Sequence, residues 1–165
     1  MDTVTATTAA SSASSTSVVL SARMLFTAGE RILVANRRGQ AWYSLPGGNV
    51  KPGESVEEAL RRGIREETGL TARTLDFVGC VEHSFVEAGQ AWQELNMVFA
   101  SVLPPFADIG SRKEAIDLGS VAVADLHAFV FRPAHLRTAI LSWLSTRRPA
   151  WYGPAGAPRR EGRPA

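Results

Sequence analysis

The chain has 165 residues, 45% hydrophobic and 21% charged, with 18 Lys+Arg against 16 Asp+Glu, a formal charge of +2 and a pI near 9.1. A single domain of this length buries roughly two thirds of the surface its unfolded chain exposes and needs no covalent or metal staple; its one cysteine, Cys80, excludes an intramolecular disulfide and a Cys-rich zinc site. No window nears 18 consecutive apolar residues, and the N-terminus lacks a basic segment followed by an apolar one, so the expected address is cytoplasmic, with no membrane partner.

Of the first 17 residues five are Thr, five Ser and four Ala. That is too little apolar surface to offset chain entropy, and 1–17 reads as a disordered tail. Val18 to Phe26 and Arg31 to Asn36 are apolar, β-branched-rich runs around Ala28-Gly29-Glu30, the pattern of a hairpin. Trp42 to Leu45 reads as a short strand ended by Pro46-Gly47-Gly48. Ser55 and Glu58 form a capping box, Ala59, Leu60 and Ile64 keep helical spacing, and Gly69 stops the helix. Glu57, Glu58, Arg61 and Arg65 read as its solvated face. Leu75 to Phe85 and Glu94 to Leu103 read as strands joined by a turn at Glu87 to Gln90, with a weaker strand over Ala115 to Ala122. Pro133 opens a last helix whose apolar stripe is Leu136, Ile140, Leu141 and Leu144, with Trp143 packed beside it. Strands around one central helix, followed by a second helix, predict an α/β layered domain over 18–145 with a mixed sheet.

Residues 146–165 carry five arginines against Glu161, a net of +4, among four prolines. This leaves −1 for 18–145, so the basic pI belongs to a second tail, read as disordered, and not to a folded basic face. No specific nucleic-acid partner is expected. Phosphate-loop and nucleophile-elbow patterns are also absent.

Residues 47–70, GGNVKPGESVEEALRRGIREETGL, fit the pattern G-x5-E-x7-R-E-U-x-E-E-x-G-U, where U is a bulky aliphatic. Gly48 opens it; Glu54, Arg62, Ile64, Glu66, Glu67, Gly69 and Leu70 hold their places, and Gly63 replaces the first Glu of R-E-U-x-E-E. The segment resembles the Nudix box, and Trp42 to Pro46 before it and Gln93 to Asn96 after it are similar to segments of that family. The resemblance implies the Nudix fold, an α/β/α sandwich with a central mixed β-sheet. It also implies Mg2+- or Mn2+-dependent hydrolysis of a nucleoside diphosphate linked to another moiety, and a possible homodimer. Under it Glu66, Glu67 and the Gly47 carbonyl are the metal ligands, and Glu54 pairs with Arg62 to hold the loop on the helix.

The residue chemistry agrees. Pyrophosphate is an anion that water must approach, so the site needs hard cations and therefore oxygen ligands, which adjacent carboxylates near a helix end supply. Position 63 lies three or four residues before Glu66 and Glu67, on the same face, and glycine there provides neither ligand nor base. Three readings are open. Another carboxylate acts as base, Glu94 first, then Glu82, Glu87 or Glu114, with His83 a weaker alternative; or the fold binds a nucleotide or diphosphate as sensor or scaffold without efficient turnover; or the substrate has shifted. Gly63→Glu discriminates among them, with activity expected to rise from near zero under the second. Trp42, Phe85, Trp92 and Phe99 could stack a base, and Trp92, beside the turn, is the preferred substrate contact.

Overall fold

The computed structural model describes residues 15–105, 107–154 and 158–159. In chain order the elements are β1 (Thr16–Ala28), β2 (Arg31–Arg37), β3 (Tyr43–Ser44), β4 (Gly47–Asn49), α1 (Val56–Thr68), β5 (Asp76–Glu87), β6 (Gln90–Val102), β7 (Ile116–Ala122), a 3-10 stretch over Val123–Ala128, α2 (Leu136–Thr146), β8 (Ala150–Tyr152) and β9 (Pro158–Arg159). They form one mixed sheet in the order β3-β2-β1-β6-β5-β8-β9, with β4 paired to β1 and β7 to β2. The parallel β1/β6 pair runs from Thr16↔Ala91 to Thr27↔Val102 and is the spine of the sheet. β5 folds back antiparallel on β6.

The period-2 alternation of β1 sorts its side chains onto two faces. Ala22, Met24 and Phe26 pack with Ala59, Leu60 and Ile64 of α1. Leu25 joins Val98, Val81, Leu136, Ile140 and Trp143 beneath α2. Two helices thus cover opposite faces of a mixed sheet, the predicted α/β/α sandwich. On the α2 face, toward the N-terminal end of β1, apolar residues give way to polar ones: Ser21, Arg23, Glu94 and Asn96 occupy that end, and there the site is built.

Helix α1 follows its sequence signals. Ser55 accepts from the Glu58 backbone N–H at 3.2 Å, the Glu58 carboxylate returns the bond to the Ser55 N–H at 2.7 Å, and Gly69 caps the C-terminus in a left-handed conformation. Four boundaries differ from expectation. Thr16 and Ser17, assigned above to the tail, already belong to β1, because β6 extends far enough to pair them. Pro46-Gly47-Gly48 does not simply end β3; Gly47 and Gly48 begin β4, paired with Arg23 and Ala22. α2 starts at Leu136, whose N–H bonds the Pro133 carbonyl in a preceding turn, and Leu141 of its predicted stripe is 40% exposed. The tail boundary at 146 is also wrong: β8 pairs in parallel with β5, and the Tyr152 side chain is buried in the α2-side core. Residues 1–14, 155–157 and 160–165 of the two expected tails lie outside the described residues. Among the described residues no helix is long and apolar enough to cross a membrane.

Candidate active site

Between β4 and the C-terminal half of α1 the chain makes a close backbone contact. A Cβ built on Gly63 would lie 2.5 Å from the Gly47 carbonyl carbon, 2.6 Å from the Gly48 nitrogen and 2.7 Å from the Gly47 oxygen. Gly63 therefore fills no gap and opens none: helix and strand touch backbone to backbone, and any side chain at 63 would have to push β4 away. This reverses the expectation attached to Gly63→Glu, since the added carboxylate cannot enter the site without moving the loop it is meant to serve.

The loop is held from its other end by Arg62. Its guanidinium takes Glu54 in a two-pronged pair, Nε to Oε1 at 2.7 Å and a terminal nitrogen to Oε2 at 2.9 Å, while also donating to the Asn49 carbonyl at 2.9 Å. Bidentate geometry fixes orientation as well as charge. The Arg62 hydrogen bonds, with the Lys51 N–H, pull the Glu54 carboxyl down to about 2.

Glu67 is 8% exposed and its Oε2 accepts the Gly47 N–H at 3.0 Å. Burial pushes its pKa up, against the Gly47 bond and the positive charges of Arg23 and Lys113. Its neighbour Glu66 is turned to the surface, where Arg62 and Lys113 each stand 3.5 Å from Oε2. The two adjacent acids thus have different surroundings, one desolvated beside a backbone donor and one bathed in cations.

Glu67 lines a cleft of about 540 Å3 on the α2 face of the sheet. Glu94 lines it as well, and its Oε1 lies 2.7 Å from the Ser21 hydroxyl and 3.4 Å from the Arg23 guanidinium. Asn96 completes the floor, accepting from Arg23 Nε at 3.2 Å and donating to the Val81 carbonyl at 3.3 Å. Trp92 lines the cleft beside Phe85, their rings 6.3 Å apart and near parallel; Trp42 lines it too, with the Arg132 guanidinium 5.5 Å from its ring centroid.

The other nominated residues separate. Phe99 packs against Phe77 on the α1 side, away from the cleft. Glu82 accepts from the Trp151 indole and from Gln93 and does not line the cleft, and Glu114 is an exposed loop residue. Glu87 and His83 line the cleft. Glu57, Glu58, Arg61 and Arg65 form the outer face of α1, with a Glu57–Arg61 pair at 2.8 Å. Sequence reasoning passed over Ser21, Arg23 and Asn49; the one signal available was an arginine breaking the apolar run of β1, which in a central strand needs a buried partner.

The donors near α1 are all oxygen: the Glu66 and Glu67 carboxylates and the Gly47 carbonyl. Such a set fits a hard divalent cation and not a soft one. Among the described residues no three acidic, His or Cys side chains converge as a formed cluster; glycine occupies position 63, and Glu66 faces outward.

A mixed sheet between two helices, with a clamped glycine loop and a buried carboxylate at the end of the central helix, defines a class of fold. Residues 18–139 match the NUDIX domain, and the chain belongs to that family. It is 51% identical over 43 residues to a putative 8-oxo-dGTP diphosphatase of Bacillus subtilis, covering 26% of this chain and 29% of that protein. It is 42% identical over 52 residues to an ADP-ribose pyrophosphatase of Methanocaldococcus jannaschii, covering 30% and 31%. The chain therefore spans less than a third of the length of either curated relative. Among solved structures, a MutT NUDIX hydrolase from Burkholderia pseudomallei superimposes with a TM-score of 0.57 at 25% identity, over 71% of this chain and 95% of that one.

Proposed function

We propose that the protein is a metal-dependent hydrolase that cleaves the pyrophosphate bond of a nucleoside diphosphate linked to another moiety, or of a related diphosphate. The observation that carries this reading is one cleft lined by the acids Glu67, Glu87 and Glu94, with Arg23 beside Glu94 and aromatic rings on its walls. Glu66, Glu67 and the Gly47 carbonyl would hold Mg2+ or Mn2+, which when bound offsets the negative charge of the diphosphate and lowers the pKa of water. Arg23 adds a fixed positive charge on the cleft floor. Glu94 is the base: Ser21 and Arg23 engage its Oε1, leaving Oε2 to take the proton of the attacking water. Glu54 and Arg62 position the loop and do not touch the substrate. Trp92 and Phe85 offer ring faces to a base.

Hydrolysis of nucleoside diphosphate sugars, dinucleoside polyphosphates and nucleoside triphosphates, with Mg2+ or Mn2+ and then with excess chelator, tests the proposal. Turnover that disappears with chelator and falls at least 10²-fold in Glu94→Gln and Glu67→Gln is expected; full turnover in Glu67→Gln would refute the site. A second reading, a nucleotide- or diphosphate-binding sensor or scaffold, draws on the absence of a third carboxylate at position 63. It predicts saturable binding of the same ligands with no turnover in the wild-type protein.

A further inference from the structure

One wall of the cleft carries three aromatic rings in a row on β5 and β6. The His83 imidazole lies 5.1 Å from the Phe85 ring at 24°, and Phe85 lies 6.3 Å from Trp92 at 10°. Phe85 faces Trp92 directly across the two strands, and His83 faces Glu94. The row therefore runs from the acid at the cleft floor out to the Trp92 rim, and all four side chains line the cleft.

His83 carries an unusual feature. Its Nε2 is buried without a hydrogen-bond partner, the only buried side-chain nitrogen or oxygen so placed among the described residues. A neutral imidazole has one donor nitrogen and one acceptor, and the unpartnered buried nitrogen is assigned as the acceptor. Burial lowers the His83 pKa, the nearby Glu94 charge opposing it and Arg132 adding to it, which keeps the ring neutral at pH 7. With the unpartnered Nε2 as the acceptor, the donor of the neutral ring is Nδ1, and His83 itself lines the cleft.

We propose that His83 is a specificity-determining residue: its Nδ1–H donates to a carbonyl oxygen on the edge of a heterocycle lying along the Phe85–Trp92 wall, so that oxo-bases are preferred to adenine. The inference rests on the nucleotide reading above. Adenine presents an amino group where guanine presents a carbonyl, and a donor facing a donor is left unpaired.

Calorimetric titration with GDP and with ADP, in the same Mg2+ buffer, tests it. Wild-type protein is expected to bind GDP more tightly. His83→Phe keeps the stacked ring and removes the donor, and is expected to weaken GDP about three- to tenfold while leaving ADP unchanged. His83→Leu serves as the donor-free variant if Phe does not fold, judged by thermal melting. His83→Asn, whose amide reproduces a donor near Nδ1, is expected to recover most of the GDP preference. Equal GDP affinity in wild type and the donor-free variant, or equal losses for GDP and ADP, would overturn the assignment while leaving the hydrolase reading intact. Wild-type protein that binds neither nucleotide would also overturn the assignment, whereas the hydrolase reading falls only with absent turnover on the diphosphates named above.

Discussion

Glu67 is held at a cost. A carboxylate 8% exposed and given one backbone donor loses more hydration than Gly47 returns, so its pKa lies above the ordinary 4.5. Because its folded-state value is raised, Glu67 contributes its full stability below the unfolded-state pKa, and that contribution is lost as pH rises through the folded value. Glu67→Gln keeps an oxygen for the Gly47 N–H and removes the buried charge. Without divalent metal it should melt a few degrees higher at pH 8, a gain of about 1 kcal/mol, and the gain should vanish at pH 4; activity should be lost in the same variant. A drop in melting temperature at pH 8 would show that the carboxylate is better solvated than its burial indicates. The Glu66-Glu67 pair stood out in the sequence because both hold their places in the pattern that resembles the Nudix box. Their opposite surroundings were not: which acid is desolvated depends on where β4 and Lys113 come to lie, and neither is local to the helix.

At the scale of elements, the contact between β4 and α1 explains a residue that looked like a loss. Glycine inside a helix costs about 1 kcal/mol relative to alanine, yet here a methyl would meet backbone at 2.5 Å, and overpacking costs typically 1–3 kcal/mol. Gly63→Ala should therefore lower stability despite its better helix propensity, by about 1 kcal/mol net in denaturant melts. Gly63→Glu should be no more active than wild type, since its side chain displaces the Gly47 loop. A stabilised, more active Gly63→Glu would mean that β4 gives way freely. Helix α1 was readable to its caps because the capping box and Gly69 are local signals; β4 was not, because Pro-Gly-Gly reads as a break and becomes a strand only when β1 lies alongside. The loop's other anchor carries its own pH signature. Glu54, lowered to about 2 by Arg62, stabilises the fold above the unfolded-state value of 4.5, and that contribution is lost as pH falls through about 2. The stability difference between wild type and Glu54→Gln should be full at pH 7 and close to nothing near pH 2, measured by urea unfolding at each pH.

Across the whole molecule, charge partition placed the basic pI in residues 146–165 and left 18–145 near neutral. The partition holds only for those bounds: Arg147 and Arg148 precede β8 and Arg159 lies in β9, so the inference that a Pro/Gly/Arg-rich segment takes no part in the fold does not stand. Ala150–Tyr152 contains only three residues, too few to show periodicity, and its Trp151 and Tyr152 are flanked by Pro149, Gly153 and Pro154. The strand exists because β5 offers a free edge and because Gly79 lets it come close: a Cβ there would lie 2.1 Å from the Ala150 carbonyl oxygen. Tyr152 then closes the core beneath α2 at 1% exposure, whereas Trp151 is 43% exposed, with its indole N–H on Glu82. The two neighbours should behave differently. Tyr152→Ala removes a buried aromatic ring and should cost about 3 kcal/mol, or roughly 6–12 °C in melting temperature for a domain of this size. Trp151→Ala should cost about 1 kcal/mol or less, since an exposed hydrogen bond and a half-covered ring contribute little. Equal and small losses would mean that β8 is a loosely attached tail after all; a large loss at Tyr152 alone makes it an integral strand of the domain, and the boundary at 146 falls inside the folded unit.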